Sequence, residues 1–208
     1  MKFSKKPRFI TFEGTEGSGK STLIQQLAVL LRSHGIPVVV TREPGGSAVA
    51  EKIRQIILHE KMDPKTELLL YEASRAEHLA EKIRPALAQG QWVLCDRYTD
   101  STHAYQGTAR GIPVKEIDLA NRLATDGLKP DLTVFLDIDP AAGLKSAVDP
   151  NRFEAEGVAF QKKVRQGFLK LIKKEKKRFL VMKAKKASPE VMAQEIFQWL
   201  QKVQKQKR

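Results

Sequence analysis

Short apolar runs recur along the chain at Phe9–Phe12, Val38–Thr41, Trp92–Asp96, Leu132–Asp137 and Phe179–Met182, and each reads as a strand. Between them apolar residues return at helical spacing, which predicts helices over 20–33, 48–59, 66–89, 114–126, 155–176 and 189–204. Pro85 falls inside the 66–89 pattern and predicts a kink there. Strands alternating with helices are the signature of a parallel sheet covered by helices on both faces. No internal repeat, low-complexity linker or second core interrupts the alternation. One α/β domain over 1–208 is therefore expected, with a flexible N-terminus at 1–7 and a frayed basic tail at 204–208.

Residues 14–22 read Gly-Thr-Glu-Gly-Ser-Gly-Lys-Ser-Thr, a complete phosphate-binding loop between a predicted strand and a predicted helix. Gly14, Gly17 and Gly19 let backbone N–H groups close around phosphate oxygens, with Thr15, Glu16, Ser18 and Thr22 completing the segment. The following helix adds the positive end of its dipole. Lys20 can reach the β- and γ-phosphates, and the Ser21 hydroxyl is placed for Mg²⁺. A plain glycine turn before a helix is the bland alternative, and the strand–loop–helix context argues against it. Binding of a nucleoside triphosphate is expected.

In such sheets ligands gather beyond the carboxyl ends of the strands, so the residues there deserve individual weight. The second strand exits into Thr41-Arg42-Glu43-Pro44-Gly45-Gly46, where Arg42 is assigned to support of the loop. The third ends at Asp96-Arg97-Tyr98 and the fourth at Asp137-Ile138-Asp139-Pro140. An acid ending a strand beside the phosphate loop can help hold the metal. Asp96 is the nearer candidate if the third strand neighbours the first, and Asp137 and Asp139 then more simply cap the helix after Pro140. Arg97 can grip phosphate oxygens with its guanidinium fork, or serve a structural salt bridge to Asp96 or Glu43, or both. Tyr71 and Arg75, four apart on one helix face, can stack on a base and bond its edge, or form an ordinary surface contact.

Composition narrows the setting. The chain has 208 residues, 41% of them hydrophobic, enough for one substantial core. The lone Cys95 excludes an internal disulfide and sits in an apolar run, where a packing role is expected. The first seven residues carry no apolar signal-peptide stretch, and no segment approaches the roughly 20 apolar residues of a membrane span. A soluble, cytoplasmic protein without a membrane partner is expected. The formal charge of +13 invites nucleic acid as a partner. Much of it lies in helical patterns with few aromatics, at 170–178, 183–186 and 202–208, which favours a solvated basic face over a platform for stacked bases. No nucleic-acid partner is expected.

Phe-Glu-Gly-Thr-Glu-Gly-Ser-Gly-Lys-Ser-Thr, Thr-Arg-Glu-Pro-Gly-Gly, Glu-Ala-Ser-Arg-Ala-Glu-His and Asp-Arg-Tyr-Thr-Asp-Ser-Thr-His-Ala-Tyr-Gln-Gly together resemble the bacterial thymidylate kinases. The late Lys-Pro-Asp-Leu-Thr-Val-Phe-Leu-Asp segment extends the match, which covers most of 8–200. The phosphate loop alone would name only a superfamily; the other blocks, in this order, are much more specific. The resemblance implies a P-loop kinase with a five-stranded parallel sheet, transferring the γ-phosphoryl of ATP to dTMP with Mg²⁺, and a homodimer. It implies that Tyr71 and Arg75 hold thymine, and that Thr102, Tyr105 and Gln106 line the base and deoxyribose. It places Arg54 and Arg97 at the acceptor phosphate and Glu16 near the dTMP sugar and phosphoryl path.

Residues 144–157 resemble the mobile lid of such kinases, which excludes water during transfer. No Arg or Lys lies between Gly14 and Lys20, so the transition-state cation is expected from the lid, with Arg152 the first candidate and Lys145 the second. Arg165 is the reserve. This lid is shorter and poorer in arginine than those of many bacterial relatives. Two other readings stay open: another nucleoside monophosphate kinase, or a basic nucleotide-switched protein that binds nucleic acid.

Overall fold

A computed structural model describes residues 8–146, 152–184 and 187–205. The expected flexible segment 1–7, positions 206–208 of the expected tail and positions 147–151 of the expected lid lie outside the described residues. The strands are β1 Phe9–Glu13, β2 Val38–Arg42, β3 Trp92–Asp96, β4 Leu132–Asp137 and β5 Phe179–Lys183. They form one parallel sheet in the order β2-β3-β1-β4-β5. Parallel strands need crossovers, and helices supply them. These are α1 Lys20–Ser33, α2 Ala48–His59, α3 Pro64–His78, α4 Arg84–Ala88, α5 Thr99–Thr102 and α6 Val114–Thr125. After β4 come α7 Pro140–Leu144, α8 Arg152–Ala155, α9 Gly157–Lys174 and α10 Pro189–Lys205.

Alternation along the strands divides the core into two layers. Ile10, Phe12, Leu94, Val134 and Leu136 face α1 and α10, where Leu23, Leu27, Leu31, Ile196 and Leu200 close the layer. On the opposite face Phe9, Val93 and Cys95 pack with Leu79, Ile83 and Tyr98, while Phe135 meets Phe168 of α9. Cys95 is a buried free thiol, as its apolar run predicts, and burial pushes its pKa well up.

Two predicted segments differ in detail. The 66–89 helix begins at Pro64, capped by Asp63, and runs to His78 before widening into a π-helical turn, Leu79–Ile83. The wide turn sits directly before Pro85, and it absorbs the disruption expected of a residue with no N–H to donate. Residues 99–109, outside the predicted helices, are helical: α5 passes into a π-helical segment, His103–Ala109. The predicted 155–176 helix corresponds to α9, which starts at Gly157 after the short α8 and the intervening Glu156; the φ of 79° at Gly157 is open to glycine at little cost.

Candidate active site

The register places the chemistry. Phe12 pairs with Asp96 across β1 and β3, so the acid ending β3 stands beside the loop leaving β1. The phosphate loop follows with left-handed backbone at Gly17 and Gly19. Gly17 abuts the backbone of Gly143 in α7, and a Cβ on either would strike the other segment's carbonyl oxygen. The helix after β4 is thereby seated directly against the phosphate loop. Asp139 caps that helix, accepting from the N–H groups of Ala141 and Ala142. Asp137 does not join the cap; it takes a bidentate pair from Arg165 at 2.6 and 2.9 Å.

Lys20 is buried and turned onto its own loop, donating to Gly14 O, Thr15 O and Ser18 Oγ at 3.2–3.3 Å. Burial and the nearby Arg97 lower its pKa, against the pull of Asp96, Glu16 and Glu13. The Ser21 hydroxyl donates to Asp96 Oδ2 at 3.1 Å, while Asp96 Oδ1 is buried with no hydrogen-bond partner among the described residues. An uncommitted carboxylate oxygen next to a hydroxyl at the start of α1 is a donor set suited to a hard divalent cation such as Mg²⁺. The described residues hold one other cluster of ligand-type side chains, Glu43, His78 and Cys95. There Glu43 already accepts from Arg75 and faces His78, and the thiol is held protonated by burial, so the chemistry does not favour a metal.

Beside the loop opens a cavity lined by Glu16, Arg54, Tyr71, Arg75, Arg97, Tyr105, Gln106 and Phe153, among others. Arg97 has left-handed backbone (φ 71°), fixed by its N–H on Phe12 O and by Glu13, which accepts from Tyr98 N at 2.8 Å and Ser101 Oγ at 2.6 Å. So held, Arg97 donates to Gly14 O at 3.1 Å and to Glu16 Oε1 at 2.6 Å. Tyr105 also donates to Glu16 Oε1, at 3.1 Å. Burial works against the Glu16 charge, yet Arg97 and Lys20 hold its carboxyl below the usual range. Arg75 is 1% exposed: Nε donates to Glu43 at 2.8 Å, and Nη1 to Glu72 at 2.5 Å and Asn121 at 2.9 Å. Its Nη2 makes no hydrogen bond among the described residues. Arg54 Nη1 donates to Pro44 O at 2.7 Å.

One pocket thus shares a wall with a phosphate loop and carries arginines, an aromatic face and free polar edges, the outline of a nucleotide-acceptor site. A sequence profile described as thymidylate kinase matches residues 12–196. The chain belongs to the thymidylate kinase family. It is 47% identical over 199 residues to a thymidylate kinase of Geobacillus sp. (strain WCH70), over 92% of this chain and 95% of that relative. It is also similar to the crystal structure of thymidylate kinase from Ehrlichia chaffeensis, at 36% identity and a TM-score of 0.75, over 92% of this chain and 98% of that one. Members of this family are kinases, and this chain is a phosphotransferase.

Most of the expected residues gather in one place, and three depart from expectation, at Arg97, Thr102 and Arg152. The salt-bridge partner of Arg97 is Glu16, not Asp96 or Glu43. Thr102 is not in the cavity wall; its hydroxyl donates to Glu72 Oε1 at 3.4 Å, and the neighbouring Ser101 lines the wall instead. Arg42 donates to both oxygens of Glu51 at 2.9 Å, and Glu51 also accepts from Gly46 N, so Arg42 reaches the loop through Glu51. Arg152 lies not at the phosphate loop but on Ile57 O and Glu67, at 2.5 and 2.7 Å. Lys145 is exposed at the end of α7, two residues past the glycine that touches the loop.

Several participants escaped the sequence reading. Glu13, Glu67 and Glu72 are buried carboxylates that orient Arg97, Gln106 and Arg75, and Phe153 closes the cavity. Glu13 stands inside the quoted Phe-Glu-Gly block, but a carboxylate pointing inward looks no different in sequence from one pointing out. Gly143 carried the one usable signal, a glycine in the first turns of a helix.

Proposed function

We propose that the chain transfers the γ-phosphoryl group of ATP to dTMP, yielding ADP and dTDP. The observation that carries this reading is the shared wall: Glu16 belongs to the phosphate loop and lines the acceptor cavity with Arg54, Tyr71, Arg75 and Arg97. Residues Gly14 to Thr22 would cradle the donor phosphates, with Lys20 leaving its carbonyl partners for the β/γ oxygens. Ser21 and Asp96 would hold Mg²⁺, which supplies charge neutralisation at those oxygens when bound.

On the acceptor side, Tyr71 offers its ring to thymine, while Arg75 Nη2 and Gln106 offer donors to the base edge. Thr102 supports this wall from behind through Glu72, and Tyr105 crowds the position of a ribose 2′-hydroxyl. Arg97 and Arg54 receive the acceptor phosphate. A phosphate oxygen and the Glu16 carboxylate are equivalent partners for the Arg97 fork, so Glu16 keeps the fork aimed until substrate arrives. The acceptor phosphate is anionic at neutral pH and needs no strong general base. In-line transfer then depends on positioning and on charge near the transferring group, for which Arg152 is the first lid cation and Lys145 the second.

The reading includes a cytoplasmic homodimer. No helix among the described residues is long and apolar enough to cross a membrane. Leu69 of α3 and Leu119 and Leu123 of α6 line one exposed apolar groove, which a second copy of the chain would cover. The deciding experiment is a panel of dTMP, dUMP, UMP, CMP, AMP and GMP with ATP and Mg²⁺. A clear preference for dTMP is expected; a preference for any ribonucleotide would sink the acceptor assignment.

A further inference from the structure

Glu67 lies one helical turn before Tyr71 on α3 and is 1% exposed. Its oxygens gather donors from two other elements. Oε1 accepts from Gln106 Nε2 at 2.7 Å, and Oε2 accepts from Arg152 Nη1 at 2.7 Å. Arg110 lies across both, Nε to Oε1 at 3.4 Å and Nη2 to Oε2 at 3.3 Å. Arg110 also reaches Glu156 Oε1 at 2.6 Å. The single turn of α8 is therefore tied at its start by Arg152 and just past its end by Glu156. Between the ties Phe153 packs edge-on to Tyr71 and Tyr105, with ring centres 6.3 and 5.8 Å away, and lines the acceptor cavity. Immediately after comes the left-handed Gly157, where an added Cβ would meet nothing within 4 Å.

A buried carboxylate needs one cationic partner, and Arg110 already supplies it. Arg152 brings a second charge at a cost, because its Nη2 is buried with no hydrogen-bond partner among the described residues. The Arg110 fork, meanwhile, is aligned one nitrogen to each oxygen but held at long distance. Were Gln106 and Arg152 to leave, that fork could close into a bidentate pair, so no buried charge would be stranded. Two arrangements of the same groups are thus balanced.

We propose that Glu67 is the latch of the lid: one carboxylate parks both Gln106 and Arg152, so that an acceptor nucleotide engaging Gln106 releases Arg152 and lets α8 pivot at Gly157. Glu67 is a positioning residue and touches no substrate. The proposal rests on the reading of Arg152 as the lid cation and of the cavity as the dTMP site.

Hydrogen–deuterium exchange of residues 152–160, with and without dTMP in the absence of ATP, tests it. In the parent enzyme dTMP should speed exchange there by about fivefold or more, since unlatching opens a marginal turn. Glu67→Gln should exchange at the fast rate without dTMP, and dTMP should add nothing. Should Glu67→Gln not fold, Arg152→Gln, which keeps the Glu67–Arg110 pair, should show the same loss of dTMP response. An unchanged dTMP response in either variant, or no response in the parent, would overturn the latch. Single-turnover transfer by Arg152→Gln reports separately on the cation: parent-rate chemistry with altered exchange keeps the latch and removes the catalytic role. Slow chemistry with parent-like exchange does the reverse.

Discussion

Arg97 Nη2 lies 2.6 Å from Glu16 Oε1, joining the turn after β3 to the middle of the phosphate loop. The pair fixes the phosphate loop against the neighbouring cavity, because Arg97 also reaches Gly14 O and Glu16 also accepts from Tyr105. Glu16→Gln removes the charge and keeps the shape. It should weaken dTMP by at least about tenfold, the scale of one charge-assisted hydrogen bond, while ATP affinity changes far less. Calorimetric titration with each nucleotide checks this, and equal losses for both would relocate Glu16 to the donor site alone.

Asp96 gives a sharper test of the metal assignment. Its Oδ1 is buried with no hydrogen-bond partner among the described residues, and its Oδ2 takes the Ser21 hydroxyl. Asp96→Asn should raise the Mg²⁺ concentration for half-maximal activity by at least about tenfold. The fold should hold, because Asp96 makes no salt bridge among the described residues and Asn keeps an oxygen to accept the Ser21 hydroxyl. A parent-like Mg²⁺ titration would assign the metal to other ligands.

Arg75 has a structural role beside the base contact proposed for it. Its guanidinium neutralises Glu43 and Glu72 in a site where both are buried. Arg75→Ala strands those carboxylates, so it should lower unfolding free energy by about 3–5 kcal/mol in urea titrations as well as weaken dTMP. Loss of dTMP affinity without loss of stability would mean that the network relaxes around the gap.

Why was so much of this site legible in the sequence? The phosphate loop, Asp96-Arg97 and Thr41–Gly46 all follow strands, and a parallel sheet gathers strand ends at one edge. Linear order therefore predicts spatial neighbourhood for them. Tyr71 and Arg75 were legible as a pair because helical spacing puts them on one face. What stayed hidden depends on side-chain direction across elements. Glu67 meets Arg152 over a sequence separation of 85 residues, and nothing local marks either as the other's partner. The π-helical segment at 103–109 was hidden for a related reason: its widening turns Gln106 and Arg110 toward Glu67, a demand of the site rather than of local propensity.

Glu13 predicts a pH dependence. Burial, then the neighbouring Asp100, push its carboxyl up to about 8, against Arg97, Ser101 and the Tyr98 N–H. A raised folded-state pKa means that the native protein binds the proton more tightly. The resulting stability is complete below the unfolded value near 4.5 and is lost as pH rises through about 8. Glu16 and Glu43, held low, act oppositely and contribute above the ordinary carboxylate range. Glu13→Gln isolates the first effect. The variant's melting temperature relative to the parent should climb by about 3 °C or more between about pH 5 and pH 9. A difference that stays flat over that range would mean that Glu13 is ionised throughout.

The apolar face of α3 and α6 carries the last prediction. Leu119 is 71% and Leu123 82% exposed, and with Leu69 they line a groove whose other walls include Ala73, Ala76 and Ala120. Isolated exposed leucines are common, but several along one groove leave apolar surface in water that a second copy would remove. The helix under this face also carries Tyr71, Glu72 and Arg75, so an interface there would brace the acceptor cavity from behind. Leu123→Glu places a charge in the middle of the groove, where pairing by a twofold axis would bring it near its symmetry mate. Sedimentation should move from dimer to monomer. Turnover should fall mainly through a raised KM for dTMP, because the loosened α3 carries the cavity-lining Tyr71 and Arg75 while the phosphate loop lies elsewhere. A parent that sediments as a monomer would rule out the interface, and a monomeric variant with parent kinetics would show that the face serves assembly alone.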